Sequence, residues 1–263
     1  MRGLERQTAL LSALLSLERK AAGVKLVKTK EAFEHYQGVE LQKPMSYCVA
    51  VKSAMAGHSI KLDRKTSGCI GSTRVLGLME AGEEYFSGRE ATEWLGLYKD
   101  YETAAKIARE APICKNETYG VIVKPLEAFE DEPDVVLIAA KPQTLMRIMQ
   151  GYSYEYGVCR NLHMCGNQAV CIECTVTPYI DRQINVSALC AGTRFHAGWK
   201  EEEMMVGIPY ELLDGTINGI WKTVNPIEMD DRKKEIEEAL ANLREEGPQI
   251  RYGQTYFWKA EQV

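Results

Sequence analysis

Eight cysteines in a chain of 263 residues are the first candidates for chemistry. A thiolate is a nucleophile, a redox group and a soft metal ligand, and compartment and spacing decide among these. Cys48 and Cys69 lie 21 residues apart, Cys171 and Cys190 lie 19 apart, and Cys174 closely follows Cys171. Cys159, Cys165, Cys171 and Cys174 form a C-x5-C-x5-C-x2-C run that also holds His163, and Cys114 stands alone. Only Cys171-x-x-Cys174 is a recognised local spacing, and a zinc ribbon would need a second one. A thioredoxin-type pair belongs at a strand-to-helix turn, whereas residues 170–177 (V-C-I-E-C-T-V-T) read as a strand.

Disulfides are not expected. The chain is long enough to bury a core, and its 45% hydrophobic and 26% charged residues are those of an ordinary soluble domain. Residues 8–17 have the length of a signal-peptide core, but Glu5 precedes them and Glu18-Arg19-Lys20 follows. The spacing of Leu10, Leu11, Leu14, Leu15 and Leu17 predicts an amphipathic helix instead. A cytoplasmic protein with reduced thiols is the expectation. The net charge of −5 and the lack of a basic block argue against nucleic acid, and no apolar run is long enough to span a bilayer.

The elements that must position the thiols come in two similar sets. Gly68-Cys69-Ile70-Gly71-Ser72-Thr73-Arg74 parallels Leu189-Cys190-Ala191-Gly192-Thr193-Arg194, and residues 83–88 parallel 202–207. Each set then runs through a charged helical stretch to a proline (Pro112, Pro248) and a Tyr-Gly pair (119–120, 252–253). This order predicts internal duplication. Two α/β units are expected at 41–130 and 168–263, after an N-terminal helical segment (1–40) and joined by a strand–helix connection (131–167). They share one α+β core about a pseudo-two-fold axis. Residues 47–52, 119–124 and 135–140 read as strands. Pro142 opens a helix that Gly151 is expected to stop, Asp100 caps another, and Asn225-Pro226-x-Glu228 is expected to start a third that reaches about residue 246.

Across such an axis, Cys48, Cys69, Cys190 and one of Cys171 or Cys174 converge on one point. Four thiolates suit an iron–sulfur cluster, most simply 4Fe-4S, or tetrahedral zinc. Buried, uninvolved cysteines are the bland alternative. Arg74 and Arg194, at matching positions, are candidates to hold an anion or to offset thiolate charge, or else ordinary ion pairs. His58, His163 and His196 are candidate ligands or proton donors, and Tyr154 lies in a tyrosine cluster that could line a flat-ligand pocket or simply pack. No G-x-G-x-x-G, G-x-x-x-x-G-K-[ST] or G-x-S-x-G is present.

Several of these segments resemble a known family. Cys48-Val49-Ala50, Gly68-Cys69-Ile70-Gly71 with Leu76-Gly77-Leu78, and Pro133-Asp134-Val135-Val136 leading to Lys141-Pro142-Gln143 are similar to the domain-of-unknown-function family 169. Residues 185–194 (N-V-S-A-L-C-A-G-T-R) and Gly207-Ile208-Pro209 extend the resemblance over about 40–215; Lys141 and Ala188 depart from the expected Asn and Gly. The resemblance implies a cysteine-rich protein common in anaerobes and archaea, and it carries no activity that could assign a catalytic residue. Three functions are therefore expected to compete. The first is an iron–sulfur redox protein or reductase acting on a small molecule or a redox partner protein. The second is a non-enzymatic binder delivering a metal or a tetrapyrrole. The third is a structural-zinc interaction protein. Homo-oligomers are compatible with each.

Overall fold

The computed structural model describes residues 3–39 and 41–256, so the outermost ends of the first and last expected units, and residue 40, lie outside the described residues. The fold is α+β. Six strands form one antiparallel sheet: β1 (Ala22–Val27), β2 (Ile60–Asp63), β3 (Gly120–Pro125), β4 (Val135–Ala140), β5 (Asn185–Ser187) and β6 (Met204–Pro209), in the order β2-β3-β1-β4-β6-β5. In each half of the chain the third strand lies between the first two, and β1 pairs with β4 where the halves meet.

Both faces of the sheet are covered, so its central strands are apolar on successive residues rather than alternate ones. Val135 and Leu137 of β4 join a core beneath the helix Tyr47–Met55 and the segment Ala169–Val176. Val136 and Ile138 point the other way, into a core closed by helices Gly3–Leu15, Pro142–Tyr156, Tyr210–Lys222 and Asp230–Leu243. The leucine stripe of the N-terminal helix buries Leu10, Leu11, Leu14 and Leu15 in that second layer.

Four local expectations are corrected. Residues 47–52 are not a strand but the start of the helix Tyr47–Met55; its buried Tyr47, Ala50, Val51, Ala54 and Met55 follow the 3.6-residue period. Residues 170–177 are not a strand either, because Ala169–Val176 is a π-helix with every residue buried. Gly151 does not stop its helix, which runs on to Tyr156 and ends at Gly157. Gly151 instead lets Gly219 of the neighbouring helix approach its carbonyl so closely that a Cβ on Gly219 would lie 2.0 Å from that oxygen. The third helix does not start at Asn225, which sits in the short helix Val224–Ile227; the long one begins at Asp230. By contrast, the Asp100 side chain does cap its helix, accepting from the Thr103 amide at 2.8 Å. No helix among the described residues is long and apolar enough to cross a membrane.

Candidate metal centre

The first-layer helices carry the thiols. Cys48 is the second residue of Tyr47–Met55, Cys69 is the N-cap of the helix Ile70–Val75, Cys190 is the N-cap of the helix Ala191–Ala197, and Cys171 lies in the first turn of the π-helix. All four line one cavity of about 140 Å³, together with Tyr47, Ser72, Asn167, Gln168, Gly192 and Thr193 among others. The positions come from both halves of the chain and from four separate elements. Each helix start is fixed by what lies beneath it: Tyr47 is 1% exposed and its hydroxyl hydrogen-bonds Thr175 Oγ1 at 2.8 Å across to the π-helix, while Thr73 bonds back to the Cys69 carbonyl at 2.8 Å.

The electrostatics are those of a site that lacks positive charge. Among the described residues, no Lys, Arg or His lines the cavity. Burial, and then the neighbouring Cys69, Cys190 and Cys48, raise the Cys171 thiol well above its usual range. Cys48 is raised in the same way, by burial first and by Cys69 and Cys190 after the opposing effect of Ser46. Thiols so placed stay protonated until a cation replaces their protons. Hydroxyls stand at two of the sulfurs, Ser46 Oγ at 3.4 Å from Cys48 and Thr193 Oγ1 at 3.1 Å from Cys190.

Two details bear on what the ring could hold. Cβ atoms added at Gly71 and Gly192 would lie 3.9 and 4.0 Å from the sulfurs of Cys69 and Cys190, and at Gly192 nothing else is within 4 Å, so the mouth stays open. A single zinc with four thiolates at about 2.3 Å sets them only about 3.8 Å apart. Among the described residues, however, no three of the ring sulfurs lie within 4.8 Å of one another. The ring is wider than the ligand set of a single tetrahedral ion.

Cys174 is buried outside the cavity, its thiol donating to the Met205 carbonyl at 3.5 Å. Neither arginine lines the cavity. Arg74 is buried in an ion pair with Glu90 and lies 5.8 Å from the Tyr85 ring, and Arg194 donates to the carbonyls of Ala188, Lys200 and Glu203. Both hold backbone or side chain in place rather than facing the thiols. His58 and His196 are exposed and outside the cavity, as is Tyr154 on its second-layer helix. Cys114 packs at the edge of the first core, Cys159 at that of the second. The sequence alone missed Asn167 and Gln168, which enter the cavity from a loop, and Glu173, fully buried in the π-helix. The signal for Glu173 was a lone acid in the otherwise apolar V-C-I-E-C-T-V-T.

The same span is matched by comparison with known proteins. An uncharacterised protein of Methanocaldococcus jannaschii is 27% identical over 218 residues, covering 80% of this chain and 90% of that one. No solved structure matches. The family model described as DUF169, "Uncharacterised ArCR, COG2043", matches residues 10–219, which contain the whole thiol ring, and the chain belongs to that family.

Proposed function

We propose that the protein holds an iron–sulfur cluster of the 4Fe-4S type on Cys48, Cys69, Cys171 and Cys190 and works as a redox protein in the cytoplasm. The observation that carries this reading is the cavity itself: four thiols from four elements, with no other strong ligand and no basic residue among its lining. All eight cysteines are free, as a reducing compartment would keep them. When bound, a cluster supplies one-electron transfer. The chain's part is to exclude water with Tyr47, Ala169 and Val170 and to tune the sulfurs through Ser46 and Thr193. The opening beside Gly192 suits a small molecule or a redox partner protein reaching the cluster.

Internal duplication belongs to the same proposal. Cys48 and Cys171 are 123 residues apart, and Cys69 and Cys190 are 121 apart. In each half a strand precedes the first cysteine, a second strand separates the two, and a third follows and pairs between them. This alignment differs from the expected units 41–130 and 168–263: the first copy extends back to β1 and the second to β4, and residues 79–118 are an insertion in the first. In it, residues 83–88 and 202–207 are not equivalent, and neither are the two Tyr-Gly pairs.

Iron, sulfide and zinc analysis of anaerobically purified protein, with its visible spectrum, tests the cluster. Four iron and four sulfide per chain with broad visible absorption are expected. Cys69→Ser and Cys190→Ser should lose them, while Cys114→Ser and Cys174→Ser keep them. Full iron in both ring variants overturns the proposal, as does a colourless zinc protein or the sharp bands of a bound tetrapyrrole.

A further inference from the structure

Glu173 is 0% exposed, yet no Lys or Arg of the described residues forms an ion pair with it. Its Oε1 accepts from the amides of Cys165 and Gly166 at 2.7 and 3.0 Å, and Oε2 accepts from the Ser187 hydroxyl. Buried carboxylates are costly unless a cation pairs with them or they bind a metal. Two further donors stand beside it. One nitrogen of His163, the sulfur of Cys165 and a carboxylate oxygen of Glu173 all lie within 4.8 Å of one another. His163 Nδ1 is buried and has no hydrogen-bond partner.

The loop is built to hold this arrangement. Asn185 Oδ1 accepts from the His163 amide at 3.0 Å and its Nδ2 donates to the His163 carbonyl at 2.9 Å, so the histidine backbone is gripped from β5. The same Asn185 amide donates to the Glu173 carbonyl at 2.6 Å, tying the loop to the π-helix. Ser187 Oγ, which donates to Glu173, also accepts from the Leu189 amide at 2.9 Å. Asn185 thus holds the backbone of His163 and Ser187 holds the carboxylate of Glu173, so two of the three donor residues are fixed from outside the trio.

We infer that His163, Cys165 and Glu173 form a second metal site, separate from the thiol ring, for one divalent transition ion of the zinc type. Three protein ligands of this mixed kind leave a fourth position open, as in catalytic rather than structural zinc sites. From within 4.8 Å of one another, the three atoms reach the roughly 3.3–3.6 Å separations of a tetrahedral site by a contraction of at most about 1.5 Å. Binding forms a bond to the Cys165 sulfur as its proton leaves to solvent; no electrons change hands. The positive ion supplies the charge that buried Glu173 lacks. Through Ser187 and Leu189 the site is also linked to Cys190, the next residue in the chain.

The test separates the two sites. Full-length Cys69→Ser/Cys190→Ser protein, stripped of metal under reducing conditions, is titrated with cobalt(II) and followed by its thiolate-to-cobalt absorption. One equivalent is expected to bind. Adding Cys165→Ser should abolish the charge-transfer band, and adding His163→Gln should weaken binding at least about tenfold. Ser187→Ala should weaken it about 10–100-fold through the lost support of Glu173. No cobalt bound in the ring-disabled protein overturns the inference, as does binding indifferent to Cys165→Ser and His163→Gln. Should Cys165→Ser not fold, His163→Gln decides alone, since its ring is only half-buried. Loss of iron on Cys69→Ser bears on the ring only, so either site can fail without the other.

Discussion

The sheet and the π-helix that carries Cys171 meet at Gly207 of β6. A Cβ added there would stand 1.8 Å from the carbonyl oxygen of Cys174 and 2.7 Å from its carbon, and both belong to backbone that cannot rotate aside. Real Cβ contacts do not fall below 3.0 Å, so in Gly207→Ala the π-helix must recede by about 1.2 Å. Overpacking of this kind costs about 3 kcal/mol, the upper end of the common range, because the segment is buried on all sides. For a chain near this size that is a fall in melting temperature of about 6–12 °C. Cys171 rides on the same π-helix, and a shift of about 1 Å exceeds the roughly 0.5 Å within which a preorganised site must be held. Under the proposed cluster, iron occupancy is therefore expected to fall about twofold or more alongside stability. Gly192→Ala is the matching control, since its Cβ would meet only the Cys190 sulfur at 4.0 Å, so its urea midpoint should match the wild type. Urea denaturation and iron analysis of the two variants read both effects. A Gly207→Ala protein with wild-type midpoint and iron content would refute the claimed approach of β6 to the π-helix.

Two further outcomes follow from buried charge. Arg147 and Glu228 are 4% and 6% exposed and paired, with Arg147 also donating to Ile220 O, Thr223 and Gln150; Arg147→Met leaves Glu228 buried and alone and should cost about 3–5 kcal/mol in urea denaturation, with Glu228→Gln in the same chain restoring part of it. Cys114 is pushed up to about 12, by burial first and then by the Asp134 carboxylate. Its thiolate is therefore scarce at neutral pH, and its alkylation, followed by mass spectrometry, should climb about tenfold per pH unit from 7 to 10. Levelling near pH 9 would mean that the folded protein does not bury this thiol.

The thiol pairs were legible in the sequence because a cysteine followed two residues later by glycine occurs at both Cys69 and Cys190, and because the pairs keep nearly the same offset. The elements carrying two of the thiols were misread for a physical reason. In Y-C-V-A-V-K the β-branched residues suggest a strand, and the period that identifies a helix becomes visible only when Ala54 and Met55 are included. In the π-helix no period exists to be found, since all eight residues are buried, Glu173 and Thr175 included, and short runs buried on every side look alike as strand or helix. Gly151 was misleading because a glycine inside a helix marks either an end or a close crossing, and only Gly219, distant in sequence, distinguishes them.

That the carriers are helical changes the chemistry of the ring. Strands would have offered thiols on a sheet whose amides are already paired. Here every ring cysteine stands at the beginning of a helical segment, two as N-caps and two within the first turn. The first amides of a helix have no partner inside it and carry partial positive charge. Four such starts line a cavity that, among the described residues, no basic side chain lines, so backbone amides rather than lysine or arginine are the groups placed to offset negative charge on the sulfurs. Backbone dipoles do this without a flexible side chain that could compete for the open face. They also leave Arg74 and Arg194 free for their observed work, gripping Glu90 and the carbonyls of residues 188, 200 and 203, which keeps the two helices that begin at Cys69 and Cys190 in position.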